Sequence, residues 1–194
     1  SWLAHSRLTP TEQKSKLSDI TGSGQMATLR KVGKGILADR FGWFTVWGGT
    51  GSAKTLFLQA LVVGFCDVGI QAVYYHAADL RNGLLRDIDN ADSDNAAYYR
   101  RLPVLVIDEL DKYHMTDWSR GQLQALLDDR YRNMKTHITL FAANKDPLDS
   151  WLPEDIQSRL QDGRFNRRCG DQEIPGIFHI NAPDIRPSLR RETQ

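Results

Sequence analysis

The stretch Phe44-Thr45-Val46-Trp47-Gly48-Gly49-Thr50-Gly51-Ser52-Ala53-Lys54-Thr55 constrains this chain more than any other. A short β-rich run ends in a loop of small residues, and Lys-Thr then opens the apolar segment 56–66. Strand, Gly-rich loop, Lys-Thr and helix together make a phosphate-binding loop, or P-loop. Glycines let successive backbone N–H groups turn inward around a polyphosphate, and the helix N-terminus adds unpaired donors and a positive dipole end. Gly48, Gly49, Thr50, Gly51, Ser52, Ala53, Lys54 and Thr55 are therefore the candidate nucleotide-binding residues. Lys54 is expected to reach the β- and γ-phosphates, and the Thr55 hydroxyl to ligate Mg²⁺. Ala53 stands where the pattern G-x-x-x-x-G-K-[ST] has its second Gly. Alanine costs nothing there if the position already has helical φ/ψ, although its methyl would lie close to the phosphate. A Gly-rich β-to-α turn without a ligand is the alternative.

A length of 194 residues fits one domain with a sizeable core. With 41% hydrophobic and 25% charged residues, the chain reads as soluble and globular. A net charge of +1 means that any nucleic-acid site has to be a local patch. Cys66 and Cys169 stand alone, with neither a zinc-ribbon nor a disulfide pattern, which fits a cytoplasmic protein. The segment from Leu56 is interrupted by Gln59, Gly64 and Asp67 and is too short to span a membrane. No signal-peptide pattern is visible. The chain begins at Ser1 rather than Met, which leaves room for an upstream segment.

Residues 1–24 are polar and turn-rich and read as an extended lead-in, with the remainder, 25–194, as the domain. Apolar residues at Met26, Leu29, Val32, Ile36 and Leu37 predict a helix over 25–39. Beyond the P-loop helix, 71–76 reads as a strand and 79–89 as a helix. The acidic stretch 87–95 lacks the Gly and Glu of a Ca²⁺-binding EF-hand loop and reads as a solvated loop. The apolar run 102–107 predicts a strand buried on both faces. Thr116 or Asp117 caps a following helix, 137–142 is a second buried strand, 155–161 a short helix started by Pro153, and 176–180 a last strand. Strands alternating with helices after a P-loop imply an α/β fold: a three-layer αβα sandwich on a parallel sheet, with ligand at the strand carboxyl ends.

Two further features fall at such strand ends. Asp108-Glu109 closes the strand 102–107 and has the form of a Walker B pair: Asp108 for the Mg²⁺ shell, Glu109 to orient and deprotonate the attacking water. Asn144 ends the next strand, where its amide can hold that water or the γ-phosphate; a turn or cap role is the alternative. Asn144-Lys145-Asp146 tempts a guanine-recognition reading, but the fourth position is Pro147, and ATP is favoured over GTP.

GGTGSAKT, VLVIDEL, the Asn after HITLFAA and Ser158-Arg159-Leu160 resemble the AAA+ ATPases, and among them the DnaC-type replicative helicase loaders and IstB-type transposition helper ATPases. The resemblance runs from about Leu17 to Arg186 and includes Leu126-Leu127-Asp128-Asp129-Arg130-Tyr131. It implies that Arg159 is an arginine finger reaching a neighbouring subunit's site, that Arg186 is the second sensor arginine, and that Leu17 to Ile20 line the adenine pocket. A surface salt bridge is the alternative for Arg159, and a solvated tail for Arg186. The chain stops soon after the last strand, so the helical lid is expected to be reduced or absent. Loaders of this group carry a helicase-binding segment upstream of the ATPase core, which is expected to be absent or truncated here.

In such loaders the ring tracks single-stranded DNA. The best local candidates are Lys112, Tyr113 and His114, a cation, a stacking ring and a polar donor in the loop after Walker B; an ordinary exposed loop is the alternative. Arg164, Arg167 and Arg168 form a second basic cluster. The leading expectation is an ATP-driven homo-oligomeric switch that assembles on single-stranded DNA and helps load a replicative helicase. A helper ATPase that delivers a transposase, and a nucleotide-gated scaffold with little hydrolysis, are the alternatives.

Overall fold

A computed structural model describes residues 1–51, 53–90 and 92–181. Ser52 and Arg186 lie outside the described residues, as does everything after Asn181.

Helix α1, Gln25–Asp39, buries Met26, Leu29, Val32 and Ile36 along one stripe, the periodicity read from sequence. It ends at Arg40 in a left-handed conformation. Strand β1, Trp43–Gly48, leads through the glycine-rich loop into α2, Lys54–Asp67. Helix α2 is buried nearly all round, since the sheet, α1 and the N-terminal segment cover it from different sides. Strand β2, Ala72–His76, is followed by two helices, α3, Ala77–Asp89, and α4, Asn95–Arg101. Strand β3, Val104–Asp108, precedes α5, Asp117–Arg132, and β4, Ile138–Ala143, precedes α6, Glu154–Leu160. A small hairpin, β5, Arg167–Cys169, with β6, Gln172–Ile174, leads to β7, Ile177–Ile180.

The main sheet has the order β2-β3-β4-β1-β7 and every pairing in it is parallel. Alternation along the strands divides the core in two. Phe44, Val46, Tyr74, Val106 and Leu140 pack under α1 and α2, and Trp43, Tyr75, Leu105, Ile107 and Phe141 under α3 to α6. The three-layer αβα arrangement follows. Strand β1 sits between β4 and β7, so the chain leaves it in one direction and returns to its other side last; ligands bind at such a switch point, at the carboxyl ends.

Residues 1–24 are not the extended lead-in that their polarity suggests. They form three short 3-10 turns, Trp2–His5, Glu12–Lys14 and Leu17–Asp19, packed on α2. Leu8 and Ile20 are buried, the Tyr74 N–H donates to the Ser6 carbonyl, and the Gln59 amide of α2 joins Glu12 to Ser15. The segment thus covers the outer edge of β2 and satisfies backbone that an open edge would leave bare.

The acidic loop after α3 is a cap. Asp87 accepts hydrogen bonds from Ser93 Oγ, the Asn95 amide and the backbone N–H groups of Asn95 and Ala96, which starts α4. Among the described residues no cluster of His, Cys, Asp and Glu is arranged to hold a metal ion by itself. No described helix is long and apolar enough to cross a membrane.

Arg130 in α5 has no exposed surface, and among the described residues no carboxylate hydrogen-bonds to it. Its guanidinium donates to the carbonyls of Tyr99 (2.9 Å), Leu102 (2.8 Å) and Ile138 (2.6 Å) and to Thr139 Oγ1 (2.8 Å). It therefore ties the end of α4 to the starts of β3 and β4, with its charge near the negative end of the α4 dipole. Burial lowers its pKa to about 9, so it stays charged at neutral pH.

Candidate functional site

Gly48 ends β1 at φ 148°, and a Cβ there would meet the Ile180 carbonyl oxygen of β7 at 2.2 Å. Only glycine lets the loop leave the sheet against its neighbour strand. Lys54 opens α2 with its ammonium donating to the carbonyls of Gly48 (2.8 Å) and Gly49 (2.7 Å). Thr50 is exposed and Gly51, at φ 77°, half-buried. Ala53 takes φ 64°, ψ 4°, which is the left-handed region. The condition under which alanine would cost nothing is not met: this position has a glycine's backbone, and a β-carbon on it costs about 1–2 kcal/mol.

Asp108 ends β3 beside the start of α2 and is 1% exposed. Its Oδ2 accepts from Thr55 Oγ1 at 2.7 Å and from the Tyr74 hydroxyl at 2.5 Å, and its Oδ1 from the Glu109 N–H at 2.7 Å. Thr55 and Asp108 are thus brought together. Glu109 adopts a left-handed backbone (φ 52°, ψ 47°), and its side chain is 46% exposed with Oε2 3.6 Å from His76 Nδ1. Asn144 follows β4, two strands from His76, and its N–H donates to Asp111 Oδ1 at 2.8 Å. Lys54, Thr55, Asp108, Glu109 and Asn144 therefore occupy the carboxyl ends of β1, β3 and β4 or the segments that leave them.

Leu17 rests against Gly33 of α1, where a β-carbon would lie 2.7 Å from its Cδ2, and Ile20 is buried beside it. Gln25 links the start of α1 to the end of β7, donating to the His179 carbonyl at 2.8 Å and accepting from the Asn181 N–H at 2.9 Å. The His179 ring stacks on Trp47 with centroids 3.8 Å apart.

Two sequence expectations are corrected. Tyr113 was a candidate stacking ring, but it is 3% exposed and its hydroxyl donates to the Ser119 carbonyl at 2.9 Å. The ring anchors the loop and cannot take a base there, because its faces are packed; Lys112 and His114 beside it are exposed. Arg159 is not free to project from the edge of the domain. It is 21% exposed and held by Asp128 (2.6 Å) and Asp155 (3.0 Å), with its guanidinium 5.7 Å from the Tyr131 ring centroid. In the second basic cluster, Arg164 is paired with Asp162 and Arg167 with Asp39, so those charges are spent within the fold.

Tyr74, His76 and Asp111 were missed in the sequence. Tyr74 and His76 have one weak signal, two polar-tipped rings two apart on a predicted strand. Their meaning depends on the β2–β3 register, His76 opposite Asp108, which no local pattern encodes.

This is the α/β fold of a P-loop domain of the AAA+ type. Among solved structures, domain III of the Thermotoga maritima replication initiation protein DnaA matches with a TM-score of 0.73 at 16% identity, covering 95% of this chain and 74% of that one. A DnaC helicase loader matches at 0.62 and 20% identity, covering 78% of this chain and 90% of that one. A replication initiator DnaA bound to AMPPCP and single-stranded DNA matches at 0.74 and 17% identity, covering 95% and 56%. The chain spans little more than half the length of the first solved structures it matches. No curated protein sequence matches significantly. A family model described as IstB-like ATP binding protein matches residues 39–163, nearly two thirds of the chain. The chain belongs to this IstB-like ATP-binding family.

Proposed function

We propose that this chain binds and hydrolyses ATP with Mg²⁺, assembles as a homo-oligomer on single-stranded DNA, and helps load a replicative helicase. The observation that carries the reading is the hydrogen bond from Thr55 to the buried Asp108, which joins the P-loop helix to the end of β3 beside Glu109. The donor set suits Mg²⁺. A hydroxyl and one carboxylate are the hard oxygen ligands it takes alongside phosphates and water, and no all-protein cage is required. Thr55 and Asp108 would hold the ion, which would supply positive charge against the phosphates.

Lys54 exchanges the Gly48 and Gly49 carbonyls for phosphate oxygens, which leaves its charge at the developing negative charge of the transferred group. Glu109, turned outward by its left-handed backbone, accepts the proton of the attacking water, and Asn144 orients that water. Arg159 reaches a neighbouring subunit's phosphates after leaving Asp128 and Asp155. Leu17, half-buried, forms one wall of the nucleobase pocket with the buried Ile20 packed behind it, and Arg186 serves as the second sensor. Lys112 and His114 contact the DNA backbone, with Tyr113 as the internal anchor of their loop. The DnaA structure with AMPPCP and single-stranded DNA supports placing nucleotide and DNA on one such fold.

A second reading, a helper that delivers a transposase to target DNA, is favoured by the family match. Steady-state ATP turnover with and without single-stranded DNA tests the enzyme shared by both readings. Turnover that rises with DNA is expected. Tight ATP binding with no turnover in either condition would leave a nucleotide-gated scaffold instead. Capture of a replicative helicase rather than a transposase by the purified protein then separates the two partners.

A further inference from the structure

One of the three hydrogen bonds that Asp108 accepts belongs to no nucleotide-site motif. Tyr74 lies mid-way along β2, opposite Val106, with His76 opposite Asp108. Strand alternation puts Tyr74 and Asp108 on the same face, the one that α2 covers, and the phenol reaches along the strand to the carboxylate. Tyr74 is 4% exposed, and its hydroxyl meets Asp108 Oδ2, the oxygen that also receives Thr55 Oγ1.

We infer that Tyr74 is a positioning residue for the Mg²⁺ site, holding the Asp108 carboxylate in the orientation in which it faces Thr55. The inference rests on the ATP-site reading above. A carboxylate swings about its last torsion unless donors fix it. Among the described residues one backbone N–H and two hydroxyls fix it, and of these only the tyrosine hydroxyl comes from outside the P-loop and Walker B segments. Groups that orient a metal ligand from behind commonly set metal affinity by about 10- to 100-fold. Removing the Tyr74 oxygen leaves a ring of the same shape, an apolar edge against a buried carboxylate, and Asp108 with one donor fewer.

The test is a Mg²⁺ titration of the binding of a fluorescent ATP analogue, compared with binding in EDTA, so that no turnover is needed. Tyr74→Phe is expected to raise the Mg²⁺ concentration for half-maximal strengthening of binding about tenfold. Tyr74→Met, which fills the space without a donor, shifts it in the same direction. Tyr75→Phe is the matched control, since Tyr75 is also buried but faces the opposite core, 5.0 Å from the Tyr99 ring; it should titrate as the wild type does. Coincident Mg²⁺ curves for Tyr74→Phe and wild type would reduce Tyr74 to a packing residue. An equal shift in Tyr75→Phe would also overturn the inference, by showing a general loss of stability. Wild-type binding that Mg²⁺ does not strengthen would sink the ATP-site reading, and this inference with it.

Discussion

Ala53 carries a β-carbon at a backbone position that favours none. Helix propensity ranks alanine best, but that ranking applies inside a helix, and Ala53 sits one residue before it at φ 64°. Its methyl is buried, so the site has little room to relax. Ala53→Gly relieves the left-handed strain, partly offset by glycine's larger entropy in the unfolded chain, for a net gain of about 0.5–1 kcal/mol. In a chain of this size that raises Tm by about 1–4 °C, readable by calorimetric or optical melting. A lower Tm would show that the loop does not hold this backbone in solution. At Glu109 the argument concerns chemistry. Glu109→Gln keeps the shape and the His76 neighbour but cannot accept a proton, so ATP binding should persist while turnover drops about 10²- to 10⁴-fold. Turnover at the wild-type rate would remove Glu109 from the mechanism. Both residues were legible in the sequence as types in a motif. Their left-handed backbones were not, because φ is set by the strand and helix that each turn joins.

Among the elements, long periodic segments were readable, as were the short helix after Pro153 and the last strand, while other short elements were not. The helix 25–39, the strands flanking the P-loop helix and the apolar β3 and β4 fall where hydrophobic pattern puts them, with ends one or two residues off. Helix α4 and the β5–β6 hairpin were not foreseen: α4 has seven residues and each strand three, too few to show a period. The N-terminal segment was misread because its buried residues, Ser6, Leu8, Ser15 and Ile20, are scattered and partly polar. The stretch 126–131 shows the opposite case, residues quoted only for resemblance whose physics the structure supplies. Asp128 pairs with Arg159, Tyr131 faces that guanidinium, and Arg130 ties α4, β3 and β4 together. Arg130→Met fills similar volume but leaves several buried carbonyls without donors, and should cost about 3 kcal/mol or more. At that size the melting midpoint falls by about 6–12 °C. A midpoint within 2 °C of wild type would mean that water reaches those carbonyls and the tie is dispensable.

For the whole molecule, the α/β class and the parallel sheet followed from strand–helix alternation, and the P-loop fixed which end carries the ligand. What sequence could not give is how Arg159 is held within its own chain. Arg159 was expected to project; instead two carboxylates hold it in its own chain. These pairs are partly buried, so the proposed exchange of the two carboxylates for a neighbour's phosphate has to compensate for breaking them. Arg159→Ala has an intact pocket but supplies no finger, whereas Lys54→Ala lacks a working pocket and still supplies Arg159. An equal mixture of these two inactive variants should recover part of the wild-type turnover. A mixture that stays inactive although mixed oligomers form would confine Arg159 to its ion pairs. The central claim, that the loop after β1 is the ATP site, is tested most directly by calorimetric titration of ATP and Mg²⁺ into wild type and Lys54→Ala, with the fold of each checked by melting. The wild type should bind one nucleotide per chain and the folded Lys54→Ala none measurable. Equal affinities in the two would contradict the account.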